Sequence, residues 1–396
     1  MDREGRKPKA VIVGGSIAGI SSANALTLAG WDVIVLEKTI SPPTGNPTGA
    51  GLALNPLSQK IIHSWISHPQ LIQNITVPLT FDQNQVTDSE KKADLHVVLY
   101  DALPPQVFLW GHHFVSFHVA NEKGTSVIVK AIVLQTGEII EIVGDLLVAA
   151  DGCLSSIRQK YRPDLKLSIY SGYCAWRGVL DYSKIENSEI IVAIKKAYPD
   201  LGKCLYFDLL NWLWYVNQLE PLVKGTSVTM KVTSDMIHKM HQEAEKVWIH
   251  ELVKVIKETN EPFLNLIYDS DPLEKIFWDN VVLVGDAAHP ITPHCIGSTN
   301  MSILDAAVLG KCLEKWGPEK VESALEEYQF IRLPVTSNQV LYARCLGRLK
   351  QGLVLPDRHP LDPKLANPED YQDLLLRNTP FFYDVPSLFA LILSSI

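Results

Sequence analysis

The rhythm of apolar and polar positions divides the chain before any single residue is considered. Ala10–Val13 is wholly apolar, as a parallel strand covered on both faces requires. Apolar residues then recur at helical spacing from Ala18 to Leu28, and Gly30 stands where that helix stops. Val33–Leu36 is a second buried strand, so "KAVIVGGSIAGISSANALTLAGWDVIVLEK" reads as a βαβ unit. From Thr39 to Asn55 the rhythm gives way to Pro, Gly, Thr and Asn, a long loop of the kind that serves a ligand. A helix over Pro56–Ser67, a polar irregular stretch over residues 78–92 and a helix over Asp94–Leu103, stopped by Pro104-Pro105, come next. Short alternating segments at Val107–Trp110, Phe114–Val119, Ser126–Leu134 and Ile139–Ile142 predict an antiparallel meander. "DLLVAADG" is a further buried strand that ends in a turn.

Residues 167–235 are again rich in strand patterns, and "NWLWYVNQ" sets aromatics at alternating positions. Met236–Thr259 has helical periodicity, with Trp248, Leu252 and Val255 on one face. A buried strand follows at 281–284, then a helix from about Thr299 and two more over Glu319–Tyr328 and Leu333–Lys350. The expected class is α/β: a Rossmann-type part over residues 1–165, an inserted β-sheet domain over 166–275, and a return to the first fold with C-terminal helices over 276–396.

Composition narrows the function. With 46% hydrophobic and 20% charged residues, the 396-residue chain has the make-up of a soluble globular protein. A formal net charge of −8 gives no footprint for nucleic acid or an anionic membrane. The six cysteines are scattered without a C-x-x-C pair, which argues against zinc or a disulfide framework and for a reducing compartment. "MDREGRKPKA" lacks the apolar segment of a secretory signal, and no run reaches the ~20 apolar residues of a membrane span. The apolar tail "VPSLFALILSSI" is too short to span and is expected to dock on the core. The cytoplasm is the expected location.

Three motifs carry candidate chemistry. Gly14-Gly15-Ser16-Ile17-Ala18-Gly19 matches G-x-G-x-x-G with Ser16 at the middle glycine. Gly14 permits a tight turn, Gly19 lets helix and strand pack closely, and the helix N-terminus offers N–H groups to a pyrophosphate. Glu37, at the end of the second strand, is spaced to accept from a ribose hydroxyl. The second motif is "AADGCLSSIR": taken alone it reads first as a capped helix, with Asp151 or Ser155 as the cap and Arg158 in a surface pair, and only second as Asp151 and Arg158 serving a ligand. The third is "VVLVGDAAHPITPHCIGSTN": Asp286 follows a buried strand, and the next helix points its N-terminus over Pro293–Ser298. His289 and His294 lack a third ligand and read as loop residues, with no metal expected.

Taken in order, the glycine fingerprint, "ADGxxSxxR" and "GDAAHPxxP" resemble the group A FAD-dependent monooxygenases, the aromatic hydroxylase family, over most of the chain. "LLVAADGCLSSIR", "GYCAWRGVLD" and "STNMSILDAAVLG" are similar to a plant-type branch related to the hydroxypyridine and salicylate hydroxylases. The resemblance implies a Rossmann-type FAD domain, FAD and NAD(P)H as cofactors, and O2 and a small aromatic substrate as reactants, with oxygen transferred through a C4a-hydroperoxyflavin. It implies that Gly14, Gly15, Ser16, Ile17, Ala18 and Gly19 face the pyrophosphate, and that Glu37 with Lys38 lies by the adenosine ribose. Asp151 and Arg158 would serve FAD and the nicotinamide, and Asp286 the ribityl-pyrophosphate region. Pro293 and the 296–300 backbone, with Gly297, Ser298, Thr299 and Asn300, would lie by the flavin ring.

Three departures accompany the likeness. Ile296 and Ser298 stand where the family has a G-x-G approach to the ring, and Lys92 stands nearest a cofactor-contacting arginine. "CLYFDLLNWLWYVNQ" runs from one strand into the next where relatives have an extra strand and turn. These leave open a non-hydroxylating or uncoupled flavin oxidoreductase, or an impaired flavin-fold binding protein. No catalytic base is assigned. Tyr206, Tyr215, His118 and the Tyr173–Gly178 segment are pocket candidates, each weighed against simple packing.

Overall fold

The computed structural model describes residues 6–42, 51–68, 70–82, 85–120, 126–165, 169–181, 189–197, 209–220, 228–230, 232–295 and 297–355. Strand β1 (Lys9–Val13) leads into helix α1 (Ile17–Leu28) and strand β2 (Asp32–Glu37). Strand β3 (Gly51–Leu54), helices α2 (Pro56–Trp65) and α3 (Gln70–Ile75), and a hairpin of β4 (Thr76–Asp82) and β5 (Gln85–Lys91) follow. Helix α4 (Lys92–Asp101) precedes β6 (Phe108–Trp110) and the meander β7 (His112–Val119), β8 (Val127–Val133) and β9 (Ile139–Gly144). Then come β10 (Leu146–Ala149), the short helix α5 (Ser156–Tyr161), β11 (Ile169–Asp181), α6 (Glu189–Ala197), β12 (Leu209–Asn217) and β13 (Thr229–Met230). Helices α7 (Ser234–Val247) and α8 (His250–Glu258) and strands β14 (Phe263–Asp269), β15 (Phe277–Trp278) and β16 (Val281–Leu283) precede the long helices α9 (Ser298–Trp316) and α10 (Val321–Lys350).

The first sheet runs β15-β16-β10-β1-β2-β6, parallel except for β15. Its central strands are apolar along their length because both faces are covered, and β10 is buried at every position. After β1 the chain turns to one side through β2 and β6, then returns to the other through β10 and β16. That reversal opens a crevice beyond the carboxyl ends of β1 and β10, where open α/β sheets bind ligands. Helices α1 and α9 close one face, and Gly310 sets their spacing, since a Cβ there would come within 2.9 Å of Ala25 Cβ.

The second sheet is antiparallel, ordered β12-β11-β14-β13. Cys174, Trp176, Leu264 and Leu266 pack from one of its faces against Met240, Ala244 and Ile256 of α7 and α8. A three-stranded sheet of β3, β5 and β4 and the three-stranded meander complete the β structure among the described residues.

Several elements differ from the sequence expectation. The stretch over 78–92 is a β-hairpin rather than irregular: Val77 pairs with Ser89 and Thr80 with Val86, so backbone pairing holds polar residues in strands. Phe108–Trp110 leaves the meander and extends the parallel sheet beside β2. The helix expected over Met236–Thr259 breaks at Trp248 and Ile249, both extended, with ψ of 154° and 155°. That break gives each half its own apolar face, and no glycine or proline marks it. Conversely, Glu319–Tyr328 and Leu333–Lys350 join in one 30-residue helix that carries Pro334 inside. Proline gives up one helical hydrogen bond, and burial of Tyr328, Ile331 and Val335 along the helix outweighs it. Helix α6 lies in a region read as strands, since "EIIVAIKKA" is rich in β-branched residues. Among the described residues, no helix is long and apolar enough to cross a membrane. Tyr206, Ile296 and the apolar tail lie outside the described residues, as does the side chain of Lys92, the first residue of α4.

Candidate functional site

Three loops meet at the carboxyl end of the first sheet. In the glycine loop, Gly14 has φ +102°, and a Cβ there would fall 2.3 Å from the Ala150 carbonyl oxygen. Gly19 is tighter still, since a Cβ on it would lie 1.8 Å from the Gly14 oxygen. Both glycines are thus required by close backbone approach. Gly15 N–H donates to Glu37 Oε2 at 2.7 Å, and Thr39 N–H donates to Oε1 at 2.9 Å. A carboxylate has about four lone-pair sites, so Glu37 keeps acceptor capacity at the end of β2. Ser16 is the N-cap of α1, and its exposed hydroxyl makes no capping bond. Ile17 is buried, Ala18 packs beside Gly285, and Lys38 is exposed next to Glu37. His96 of α4 is a member of the site that sequence patterns do not reveal. Its Nε2 lies 2.6 Å from the Gly15 carbonyl oxygen, a link across 81 residues that no local signal marks.

The second loop follows β10. Asp151 Oδ2 accepts from the Ser156 N–H at 2.9 Å and Ser155 Oγ from the Arg158 N–H at 3.0 Å, so both alternatives for the cap of α5 are realised. Asp151 Oδ1 is buried without a donor. Burial raises the Asp151 pKa, and hydrogen bonds from Ser155 and the Ile157 and Ser156 backbone pull the other way.

Arg158 is not the surface pair that one reading of the sequence allows. It is 2% exposed, and its guanidinium donates to the Ala287 carbonyl at 2.8 Å, the Asp286 carbonyl at 3.2 Å and the Cys153 carbonyl. It staples the second loop to the third.

The third loop is Gly285–Gly297. Gly285 has φ +58°, and its N–H donates to Asp305 Oδ2 at 2.8 Å. Asp305, wholly buried on α9, also takes Arg332 Nε at 2.7 Å and lies 2.5 Å from His289 Nε2. Burial pushes the Asp305 pKa up, but His289, Arg332 and the Gly285 N–H outweigh it and hold it below the usual carboxylate range. Asp286 accepts from Ser298 Oγ at 2.7 Å, which seats the aspartate against the N-terminus of α9. Asn300 Oδ1 accepts from the Asn55 N–H at 2.9 Å and ties α9 to the start of α2. Gly297 has an internal reason to be glycine: a Cβ would sit 2.7 Å from Gln339 Nε2 of α10.

A cavity of ≈470 Å³ lies between this third loop and the second sheet. Asp286, Pro293, Ser298 and Thr299 line one side, with Leu52 and Cys153 beside them. Arg177, Asn211, Tyr215 and Asn265 line the other. Tyr215 faces the cavity rather than serving packing alone, and its ring lies 4.4 Å from that of His294. Burial, then the Lys350 charge, lowers the His294 pKa to about 4. His118 sits on the meander, away from the cavity lining. Of the expected residues, Asp286, Pro293, Gly297, Ser298 and Thr299 come together in one cavity, with the glycine loop and Asp151 adjoining through Gly14 and Ala150.

The residues fit a flavin nucleotide by their own chemistry. The glycine loop opens onto an unspent N-cap hydroxyl, Glu37 and Asp151 keep free acceptors, and the backbone of α9 faces the cavity. No protein-family model matches the chain. It is 24% identical over 350 residues to the 6-hydroxynicotinate 3-monooxygenase of Pseudomonas fluorescens, covering 82% of this chain and 87% of that one. Monooxygenase 1 of Arabidopsis thaliana is 26% identical over 353 residues, covering 80% and 84%. The structure of Klebsiella pneumoniae HpxO with FAD and uric acid superposes with a TM-score of 0.68 at 18% identity, covering 98% and 97%. The chain is a homologue of the FAD-dependent aromatic hydroxylases and monooxygenases, and it has their fold.

Proposed function

We propose that the protein is an FAD-dependent monooxygenase that consumes a nicotinamide reductant and places one atom of O2 on a small aromatic or heteroaromatic ring. The observation that carries this reading is the cavity between the third loop and the second sheet, flanked by a nucleotide-binding glycine loop. Bound FAD supplies two-electron redox exchange and O2 activation, and the protein supplies position and electrostatics.

Gly14–Gly19 and the Ser16 hydroxyl would hold the pyrophosphate and Glu37 the adenosine ribose. Asp286 would take a ribityl hydroxyl, and Asp151 Oδ1 a further donor. The first N–H groups of α9, at Ser298–Asn300, have no intrahelical acceptors and stabilise negative charge that develops beside them. Arg158 holds no ligand in this scheme. It fixes the second and third loops relative to each other through three backbone carbonyls. Leu52, Leu213 and Ile267 supply apolar lining that keeps water from the reacting centre.

The test is the visible spectrum of the desalted protein with and without added FAD, followed by NADH and NADPH oxidation. Retained flavin bands, and a product heavier by one oxygen from an aromatic compound that accelerates NAD(P)H use, are expected. Peroxide as the sole oxygen product would replace this reading with an uncoupled oxidase. A folded but colourless protein after reconstitution would end it.

A further inference from the structure

A second cavity, of ≈500 Å³, lies where β11 and β14 meet the last turns of α10. Its charged lining groups among the described residues are Asp269, Arg344 and Arg348. The two arginines stand four residues apart on α10 and so share one face of it. Arg344 is clamped, since Nε donates to Asp269 Oδ2 at 2.6 Å and Nη1 to Asp271 Oδ1 at 2.8 Å. The clamp fixes the guanidinium plane and leaves Nη2 buried without an acceptor. Arg348 donates from Nε to the Val354 carbonyl at 2.7 Å, and its two terminal nitrogens make no hydrogen bond with a described residue. Ser171 of β11 is 5% exposed, and its hydroxyl has no partner. Three donor groups are thus unspent around one space, while the lining carboxylate, Asp269, is already bonded to Arg344. Guanidinium forks suit oxyanions. Three separate donor groups match the several oxygens of a phosphate or pyrophosphate better than the two of a carboxylate.

This cavity adjoins the first. Tyr170 lines the second cavity and Tyr268 the first. The two tyrosines are opposite each other across β11 and β14, their rings edge-on with centroids 5.5 Å apart. Tyr170 is tethered to the Gln218 carbonyl at 3.1 Å and Tyr268 to Glu220 Oε1 at 2.8 Å. Leu341 and Val354, both exposed, give the second cavity an open side. The reaction proposed above consumes a second dinucleotide, and the glycine loop accounts for the phosphates of the first alone.

We propose that Ser171, Arg344 and Arg348 form a phosphate site, and that it receives the pyrophosphate of the nicotinamide reductant. The choice of the reductant rests on the monooxygenase reading. The phosphate site does not.

The first measurement is a calorimetric titration of FAD-loaded protein with inorganic pyrophosphate, because the glycine loop is then already filled. Saturable binding is expected. R348Q should weaken it on the order of 10–100-fold, as loss of a charge-assisted hydrogen bond does. R348K should restore part of the loss, since lysine keeps the charge without the fork. S171A tests the opposite wall without touching the Arg348–Val354 bond, and it should weaken binding by a smaller factor. In steady-state kinetics R348Q should raise the KM for NADH or NADPH by a factor similar to its effect on pyrophosphate. Pyrophosphate should compete with the reductant and not with the aromatic.

No saturable binding, or binding that survives both R348Q and S171A, would overturn the phosphate site. Binding that R348Q removes, without competition against NADH or NADPH, would assign the site to free phosphate or another phosphate ester and overturn the reductant. The same R348Q-sensitive binding in protein that retains no flavin would leave the phosphate site standing and remove the monooxygenase. Retained flavin that NAD(P)H reduces equally well in R348Q and S171A would do the reverse.

Discussion

Single residues carry much of the site's geometry. Gly14 tolerates no side chain, because positive φ and a carbonyl oxygen 2.3 Å from any Cβ act together. Gly14→Ala should cost more than about 1–2 kcal/mol and reduce FAD retention at least tenfold, read by urea unfolding and the flavin spectrum after desalting. Asp305 is the acceptor for Gly285, His289 and Arg332, and Arg332 Nη1 and Nη2 have no partner among the described residues. D305N should therefore destabilise by about 3–5 kcal/mol, the range for breaking a buried pair. Because the folded pKa of Asp305 lies below its unfolded value near ~3.9, its contribution is complete at neutral pH and fades as pH falls through that range. His294 behaves differently. Its folded pKa is about 4 against an ordinary value of 6.5, so it is neutral in the fold, and stability declines as pH drops from 6.5 towards 4. H294Q should flatten that part of the stability curve in denaturant titrations at stepped pH. Gly14 and Gly19 were legible in the sequence because their reasons are local. Arg158 was not: whether an arginine finds carbonyls 128 residues away depends on the assembled fold.

Elements were legible where hydrophobic period and punctuation agreed. The βαβ unit, β10, β16 and the start of α9 all follow from buried runs ended by glycine or polar turns. The misreadings share one cause, tertiary pairing overriding local signal. Polar β5 is held by two neighbours, α7 and α8 part without a breaker, and α10 continues through Pro334. Helix α10 also lies against Tyr173 and His294, behind the cavity-lining Tyr215 and Pro293, at a point only glycine allows. A Cβ on Gly347 would meet the Tyr173 hydroxyl at 2.4 Å and His294 Cδ2 at 2.8 Å. Gly347→Val should push the helix from Tyr173 and His294, lower the melting temperature and, through Tyr215, weaken aromatic binding more than flavin retention. Fluorescence titration against the flavin spectrum separates the two effects.

At the scale of the molecule, two sheets of different construction share one cavity. The parallel sheet brings the three loops together at its switch point, and the antiparallel sheet supplies the facing wall. FAD should therefore raise the melting temperature steadily with the logarithm of its concentration, as binding to the folded state alone requires. A melting temperature indifferent to FAD would mean that the glycine loop binds nothing under those conditions. The overall architecture was readable from the chain because it depends on run lengths. The substrate wall was not, because its identity depends on strand register, and a one-residue slip would exchange every side chain on it.

That same register separates two kinds of inheritance. Along β11 and β12, Cys174, Trp176, Trp212 and Trp214 belong to the hydrophobic interior, while Ala175, Arg177, Asn211, Leu213 and Tyr215 line the cavity. Neighbours in the gene thus answer to different selective pressures, one codon constrained by foldability and the next free to follow chemistry. A lineage could drift from one aromatic to another by changing alternate codons alone. A randomised library confined to those five positions would sample new specificities with its scaffold left intact.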